Sequence, residues 1–151
     1  MEIPSLFSLK NKVAVVTGAL GLLGKQHCYA LSEAGAIVIV CDLNEKECRD
    51  FAFSLEGENT GAGVDITSPP SISKLKEIIL GKYKKIDVLI NNAAINDMFE
   101  NPAAAEQSKF ENYPLDLWNK SLEVNITGTF LCSQIIGSQM AEQGNGSIIN
   151  K

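Results

Sequence analysis

Long apolar stretches are missing from this chain. The longest uninterrupted apolar run in its first half is Ala36 to Cys41, far short of the ~20 residues that a membrane-spanning helix needs. The opening residues Met1 to Lys10 lack the basic-then-apolar layout of a secretory signal. The expectation is a cytoplasmic protein with no membrane contact. Histidine is nearly absent too. The single His27 adjoins Cys28 rather than standing at metal-ligand spacing, and Cys28, Cys41, Cys48 and Cys132 contain no Cys-x-x-Cys pair. No metal site is expected, and free, mostly buried thiols in a reducing compartment fit these cysteines. Grouped positive charge is the third absence. The 13 basic and 18 acidic residues give a formal net charge of −5, and the one basic cluster, Lys82, Lys84 and Lys85, is followed at once by Asp87. A nucleic-acid backbone calls for clustered Lys and Arg. The cluster therefore reads as a solvated helix end, and no nucleic-acid partner is expected.

What is present is an alternation within a chain of one-domain size, 151 residues with 45% hydrophobic content. Five short apolar runs read as strands: Val13 to Val16, Ala36 to Cys41, a weaker one at Ala62 to Ile66, Ile86 to Ile90, and Ser147 to Asn150. They lack strict apolar–polar alternation, which suits strands covered on both faces. Helical spacing lies between them. Leu23, His27, Ala30, Leu31 and Ala34 form one stripe, stopped by Gly35. Asn44 with Glu47 reads as a capping box. Ser68 and Pro69 read as an N-cap and a first helical residue, ahead of an apolar stripe of Ile72, Leu75, Ile79 and Tyr83. A long helix is expected from about Asp116 to Met140, with Trp118, Leu122, Phe130, Leu131, Ile135 and Ile136 as candidate core. Gly144 and Gly146 open the turn into the fifth strand. Strand–helix alternation of this kind implies a parallel sheet with right-handed crossovers, an α/β fold. The connection from Ile95 to Leu115, with Pro102 and Pro114, breaks the rhythm and is long enough to be functional or mobile.

The first strand passes into its helix through Thr17-Gly18-Ala19-Leu20-Gly21-Leu22-Leu23-Gly24. In such a turn one glycine permits the tight bend, a second lets backbone approach a pyrophosphate, and a third lets helix pack on strand. The amides that open the helix then face the phosphates. Read alone, the triplet also fits a plain strand-to-helix turn. Asp42 lies at the end of the second strand, 24 residues after Gly18. There a carboxylate can accept from the adenosine ribose hydroxyls and repels a 2′-phosphate, which favours NAD over NADP. It also fits a solvated turn carboxylate. A triphosphate-binding loop is excluded, because Gly24-Lys25 would need glycine where Ala19 stands and Ser or Thr where Gln26 stands.

Joined to later segments, the turn resembles that of a short-chain dehydrogenase/reductase. The matching pieces are Lys12 to Gly18, Asp42, Asp65-Ile66, Asn91-Asn92-Ala93-Ala94, Val124 to Phe130 and Gly146 to Asn150, in the family's order and over nearly the whole chain. The resemblance implies a Rossmann-like doubly wound parallel sheet of about five strands, and NAD-dependent hydride transfer between nicotinamide and an alcohol or carbonyl substrate. It implies a cofactor site of Thr17, Gly18, Gly21, Leu22, Leu23, Gly24, Asp42 and Leu43. Asp65 would meet the adenine amino group beside the Ile66 amide. Asn91, Asn92, Ala93 and Ala94 would line the adenosine side. Asn125 would be the catalytic asparagine, holding a water in the proton relay. Read without the family, Asn125 is a polar residue in a helix. Two departures stand out. The glycines follow Thr17 at one, four and seven residues, the spacing of the family's extended members, and Ala94 replaces a usual glycine.

The larger departure is an absence. The family's reaction uses a tyrosine, a lysine four residues later and a serine after the fifth strand, the lysine drawing the tyrosine pKa down from its ordinary ~10. Here Tyr29 is followed at that spacing by Glu33, Tyr83 by Asp87 and Tyr113 by Leu117, while Lys151 follows Asn150. The chain thus reads as the family's N-terminal cofactor-binding part, a sheet incomplete at its C-terminus and inactive alone. The alternative is a non-catalytic NAD(H)-binding or interaction module. Unpartnered apolar residues among Phe130, Leu131, Ile135 and Ile136, and an unprotected fifth strand, predict homo-oligomers or association through the long helix near 116–140. The stretch from Asn96 to Asn112 is expected to supply one wall of the substrate site.

Overall fold

The computed structural model describes residues 5–96 and 109–151. Its centre is a five-stranded parallel sheet in the order β3-β2-β1-β4-β5. The strands are β1 Val13–Thr17, β2 Ile37–Asp42, β3 Thr60–Gly63, β4 Val88–Asn91 and β5 Ser147–Asn150. β1 pairs with β2 from Val13↔Ile37 to Thr17↔Cys41, and with β4 from Ala14↔Val88 to Val16↔Ile90. The chain steps outward from β1 to β3, then crosses back to β4 and β5 on the other side. That reversal opens a crevice beyond the carboxyl ends of β1 and β4.

Among the described residues five α-helices accompany the sheet: α1 Leu22–Glu33, α2 Glu45–Ser54, α3 Pro69–Tyr83, α4 Leu115–Leu122 and α5 Thr129–Glu142. Both faces of β1, β2 and β4 are covered, which is why these strands read as unbroken apolar runs. Val13, Val15, Ile39 and Cys41 pack on one face with Ile72, Leu75 and Ile79 of α3 and Cys132, Ile136 and Met140 of α5. Ala14, Val16, Val38 and Val40 pack on the other with Cys28 of α1 and Cys48 and Ala52 of α2. The arrangement is Rossmann-like and doubly wound. All four cysteines are free and buried.

The Asn44 cap forms as its spacing predicts. Its side-chain oxygen accepts from the Glu47 amide at 3.2 Å, and its amide donates to the Glu47 carboxylate at 2.5 Å. Ser68 precedes Pro69 at the start of α3, but its side chain makes no capping bond. Strand boundaries shift from expectation by one to three residues, and two of the shifts have a visible cause. β3 ends at Gly63 rather than Ile66, because Asp65 turns the chain out of the sheet by accepting from the Thr67 amide and hydroxyl at 2.9 and 2.7 Å. β4 starts at Val88 rather than Ile86, whose backbone is paired instead by the Gln143 side chain.

The expected helix over 116–140 is present but not uniform. A π-helical turn, Glu123–Gly128, separates α4 from α5. Of the expected core residues only Ile136 is fully buried, joined by Cys132 and Met140, which the spacing did not single out. Leu131 and Ile135 are half-buried against the same core. Trp118, Leu122 and Phe130 are exposed. They share an outer stripe with Leu115 and Ile126, and the whole of β5 is exposed beside α5. Among the described residues no helix is long and apolar enough to cross a membrane.

Candidate functional site

A cleft of about 830 Å³ lies over the carboxyl ends of the central strands. Gly18, Gly21, Leu22, Leu23 and Gly24 form its floor at the β1–α1 turn. Asp42 and Leu43 reach it from the end of β2, and Val64, Asp65, Ile66 and Thr67 from the segment after β3. Asn92, Ala93, Ala94, Ile95 and Asn96 close it from the end of β4.

The turn's glycines answer to distinct constraints. Gly18 has φ +61°, and a Cβ there would stand 2.6 Å from the Ala93 Cα. A Cβ on Gly24 would lie 2.1 Å from the Gly18 carbonyl oxygen and 2.7 Å from the Ala19 Cα, so this glycine sets how closely α1 packs on β1. Gly21 is the N-cap residue of α1 and offers no capping side chain, and the first turn of α1 carries no acidic residue. The amides of Leu22, Leu23 and Gly24 are thus the unpaired donors of a helix N-terminus, where the backbone dipole favours an anion.

Asp42 is built into the same turn. Its Oδ2 accepts from the Leu20 amide at 3.0 Å and its Oδ1 from the Leu43 amide at 2.8 Å. Beside that bond, the Ala19 amide donates to the Cys41 carbonyl at 3.0 Å. Asp65 is exposed on the cleft wall with Oδ1 engaged by Thr67. The Ile66 side chain is buried against the π-helical turn, where a Cβ on Gly128 would come within 2.6 Å of its Cδ1.

Three expected site residues stand behind the wall rather than on it. Thr17 is buried, and its hydroxyl accepts from the Asn92 and Ala93 amides, each at 3.1 Å. Asn91 is buried as well. It donates to Ser133 Oγ at 2.9 Å and Asn150 Oδ1 at 2.8 Å, tying β4 to α5 and β5. Asn125 sits in the π-helical turn with its carboxamide paired to the Ile95 backbone, accepting from the amide at 2.9 Å and donating to the carbonyl at 3.1 Å. Its own carbonyl accepts from the Thr129 hydroxyl at 2.9 Å. Each end of the carboxamide thus makes one bond to the backbone.

The structure adds wall residues that the sequence motifs did not point to, Lys120 from α4, Glu123 from the π-helical turn and Lys151 after β5, together with Val124, which opens the Val124 to Phe130 motif. Lys120, Val124 and Gly128 are spaced by four. That spacing was the available signal in the sequence. Of the expected wall from Asn96 to Asn112, residues 97–108 lie outside the described residues, and Asn96 lines the cleft. No tyrosine is among the described lining residues. Tyr29 packs edge-on to Phe51, and the Tyr83 hydroxyl pairs with Thr60 at 2.7 Å.

A sheet in this order, with a glycine turn and an uncapped helix start at the crevice, defines a Rossmann-like domain. The chain belongs to the short chain dehydrogenase family, whose model matches residues 12–151. It is 39% identical over 145 residues to an NAD-dependent glycerol dehydrogenase of Listeria innocua, covering 95% of this chain and 53% of that protein. It is 31% identical over 147 residues to a D-threitol dehydrogenase of Mycolicibacterium smegmatis, covering 95% of this chain and 53% of that one. Among solved structures it resembles an NAD+-bound xylitol dehydrogenase with a TM-score of 0.79 and 28% identity, over 92% of this chain and 52% of that chain. The chain spans about half the length of the curated relatives named here.

Proposed function

We propose that this chain is the cofactor-binding part of an NAD-dependent short-chain oxidoreductase, acting between nicotinamide and an alcohol or carbonyl substrate. The observation that carries the reading is the union, in one cleft, of an uncapped α1 N-terminus with the Asp42 carboxylate. The residues fit the group. The Leu22, Leu23 and Gly24 amides would hold the diphosphate, Asp42 the adenosine ribose, and Leu43, Asp65 and Ile66 the adenine side. Ala93 and Ala94 would line the opposite wall. When bound, the cofactor supplies the hydride acceptor or donor. A carboxylate at position 42 disfavours a 2′-phosphate and supports NAD over NADP. An NAD-dependent relative and an NAD+-bound structural neighbour support the same cofactor.

The 151-residue chain contains no tyrosine followed four residues later by lysine, and we assign it binding without turnover. The experiment is a calorimetric titration with NADH and then NADPH. Saturable binding that prefers NADH, with no alcohol- or ketone-dependent turnover, is the expected result. A folded sample that binds neither nucleotide overturns the cofactor reading, and measurable turnover overturns the inactivity.

We also assign homo-association to the outer stripe of α4 and α5, where Trp118, Ile126 and Phe130 are 52%, 63% and 58% exposed. An apolar stripe of this kind is a self-complementary surface for a two-fold pair. Sedimentation should show a concentration-dependent dimer that Phe130→Lys dissociates; a monomer at every concentration overturns the assignment. Four buried free thiols fit a reducing compartment, and we place the chain in the cytoplasm.

A further inference from the structure

We propose that Asp42 is a positioning residue for the diphosphate cradle as well as the reader of the ribose. The inference rests on the reading of the cleft as an NAD site. The turn between β1 and α1 meets β2 through adjacent donors. The Ala19 amide bonds to the Cys41 carbonyl, backbone to backbone, at 3.0 Å. The Leu20 amide bonds to Asp42 Oδ2, backbone to side chain, at 3.0 Å. The next bond in the turn, Gly21 amide to Gly18 carbonyl at 3.2 Å, leads straight into the uncapped amides of Leu22, Leu23 and Gly24. The last external tie before the cradle is therefore a carboxylate.

That carboxylate is itself fixed. Its other oxygen accepts from the Leu43 amide at 2.8 Å, so the carboxylate plane is held between β2 and the turn. Each oxygen uses one acceptor site on an amide and keeps another. The remaining sites suit the paired hydroxyls of a ribose. One side chain thus links two subsites. Removing it takes away the ribose acceptor and also leaves the half-buried Leu20 amide without its partner, a loss that the cradle feels directly. The consequence is specific: replacing Asp42 to admit a 2′-phosphate weakens the grip on the diphosphate that both nucleotides share.

A ligand cycle tests this. NADH and its analogue lacking the 2′ and 3′ hydroxyls of the adenosine ribose are titrated into the wild type, Asp42→Ala and Asp42→Asn at a temperature where all are folded. If Asp42 only reads the ribose, Asp42→Ala weakens NADH and leaves the analogue untouched. If it also braces the turn, Asp42→Ala weakens the analogue by roughly tenfold or more, the low end of the worth of one hydrogen bond to a charged group. Asp42→Asn, which keeps one side-chain oxygen, recovers part of that loss. Hydrogen exchange at the Leu20 amide of the free protein is the second readout, expected to quicken in Asp42→Ala and to return toward wild type in Asp42→Asn. Ile136→Val, in the core under α5, lowers stability without moving either analogue affinity or Leu20 exchange, which separates bracing from general destabilisation. An unchanged analogue affinity, or unchanged Leu20 exchange in Asp42→Ala, overturns the brace and leaves the NAD site standing. A folded wild type that binds neither ligand removes the NAD site itself.

Discussion

Asn92 is bound to Thr17 twice: its amide donates to the Thr17 hydroxyl and its side chain to the Thr17 carbonyl, both at 3.1 Å. The same side chain donates to the Gly18 carbonyl at 3.0 Å. The carboxyl ends of β1 and β4 are therefore one unit at the point where the chain reverses direction, and the cleft floor and one wall share that support. Thr17→Val keeps the shape and removes the acceptor of two amides. It should cost roughly 1–3 kcal/mol in urea unfolding, the penalty of unpaired buried donors, and weaken NADH binding. A stability within error of wild type would show that the tie is dispensable.

Gly24→Ala should be worse for binding than for the fold. The added carbon meets backbone, the Gly18 carbonyl at 2.1 Å and the Ala19 Cα at 2.7 Å, so relief requires α1 to move away from β1. Overpacking of this kind costs about 1–3 kcal/mol. The displaced amides should lose NADH altogether in calorimetry. Retained affinity would mean that the helix start is not the anion site.

Asp87 is 6% exposed and accepts from Lys85 at 2.9 Å, Lys12 at 3.1 Å and the Val13 amide at 2.9 Å. Burial pushes its pKa up, but the Val13 amide and the two lysines outweigh burial, and the net shift is downward. A carboxyl depressed in the fold stabilises it fully above the ordinary unfolded value of ~4 and loses that contribution as pH falls through the folded value. Asp87→Asn should therefore be less stable than wild type by roughly 1–3 kcal/mol near neutrality, and the gap should narrow in acid. The two lysines are partly exposed, so solvent screening keeps the effect modest. Parallel urea curves at pH 7 and pH 3 provide the check, and an unchanged gap would contradict it.

The thiols should be silent until the protein unfolds. Burial pushes Cys28 and Cys132 up to about 12 and Cys48 to about 11, and raises Cys41 as well. Thiolate, the reactive form, is then scarce at pH 8. An aromatic disulfide reagent at that pH should titrate all four cysteines in denaturant and react only at the rate of unfolding without it. A fast native phase would identify a thiol whose environment differs from the one described.

Much of this architecture could be read from residue pattern. Val13 to Val16 and Ala36 to Cys41 read as strands because both of their faces are buried. Asn44 with Glu47 announced α2, and Gly18 and Gly24 announced their turn. Boundaries were harder where side chains stand in for backbone, as Gln143 does beside Ile86 and Asp65 does with Thr67. The long helix misled for one physical reason. A 3.6-residue period assumes uniform winding, and the π-helical turn breaks it, so the period points to Trp118 and Phe130 as core and passes over Cys132 and Met140. Within the site, the motif located the cleft but not the depth of its members. Thr17 and Asn91 belong to the same signature as Gly18 and Asn92, yet they serve the sheet behind it.

The π-helical turn makes the spacing of this helix work like a reading frame. A turn closed by i→i+5 bonds holds about one residue more than an α turn and sets back everything downstream by roughly 100°. Lys120 just before the turn and Glu123 and Val124 at its start face the cleft; downstream, Cys132, Ile136 and Met140 face the sheet. Loss of a single codon anywhere in 123–128 would restore ordinary winding and swing one of those two sets out of place, whichever residue was removed. Substitution is open to this segment in a way that insertion and deletion are not.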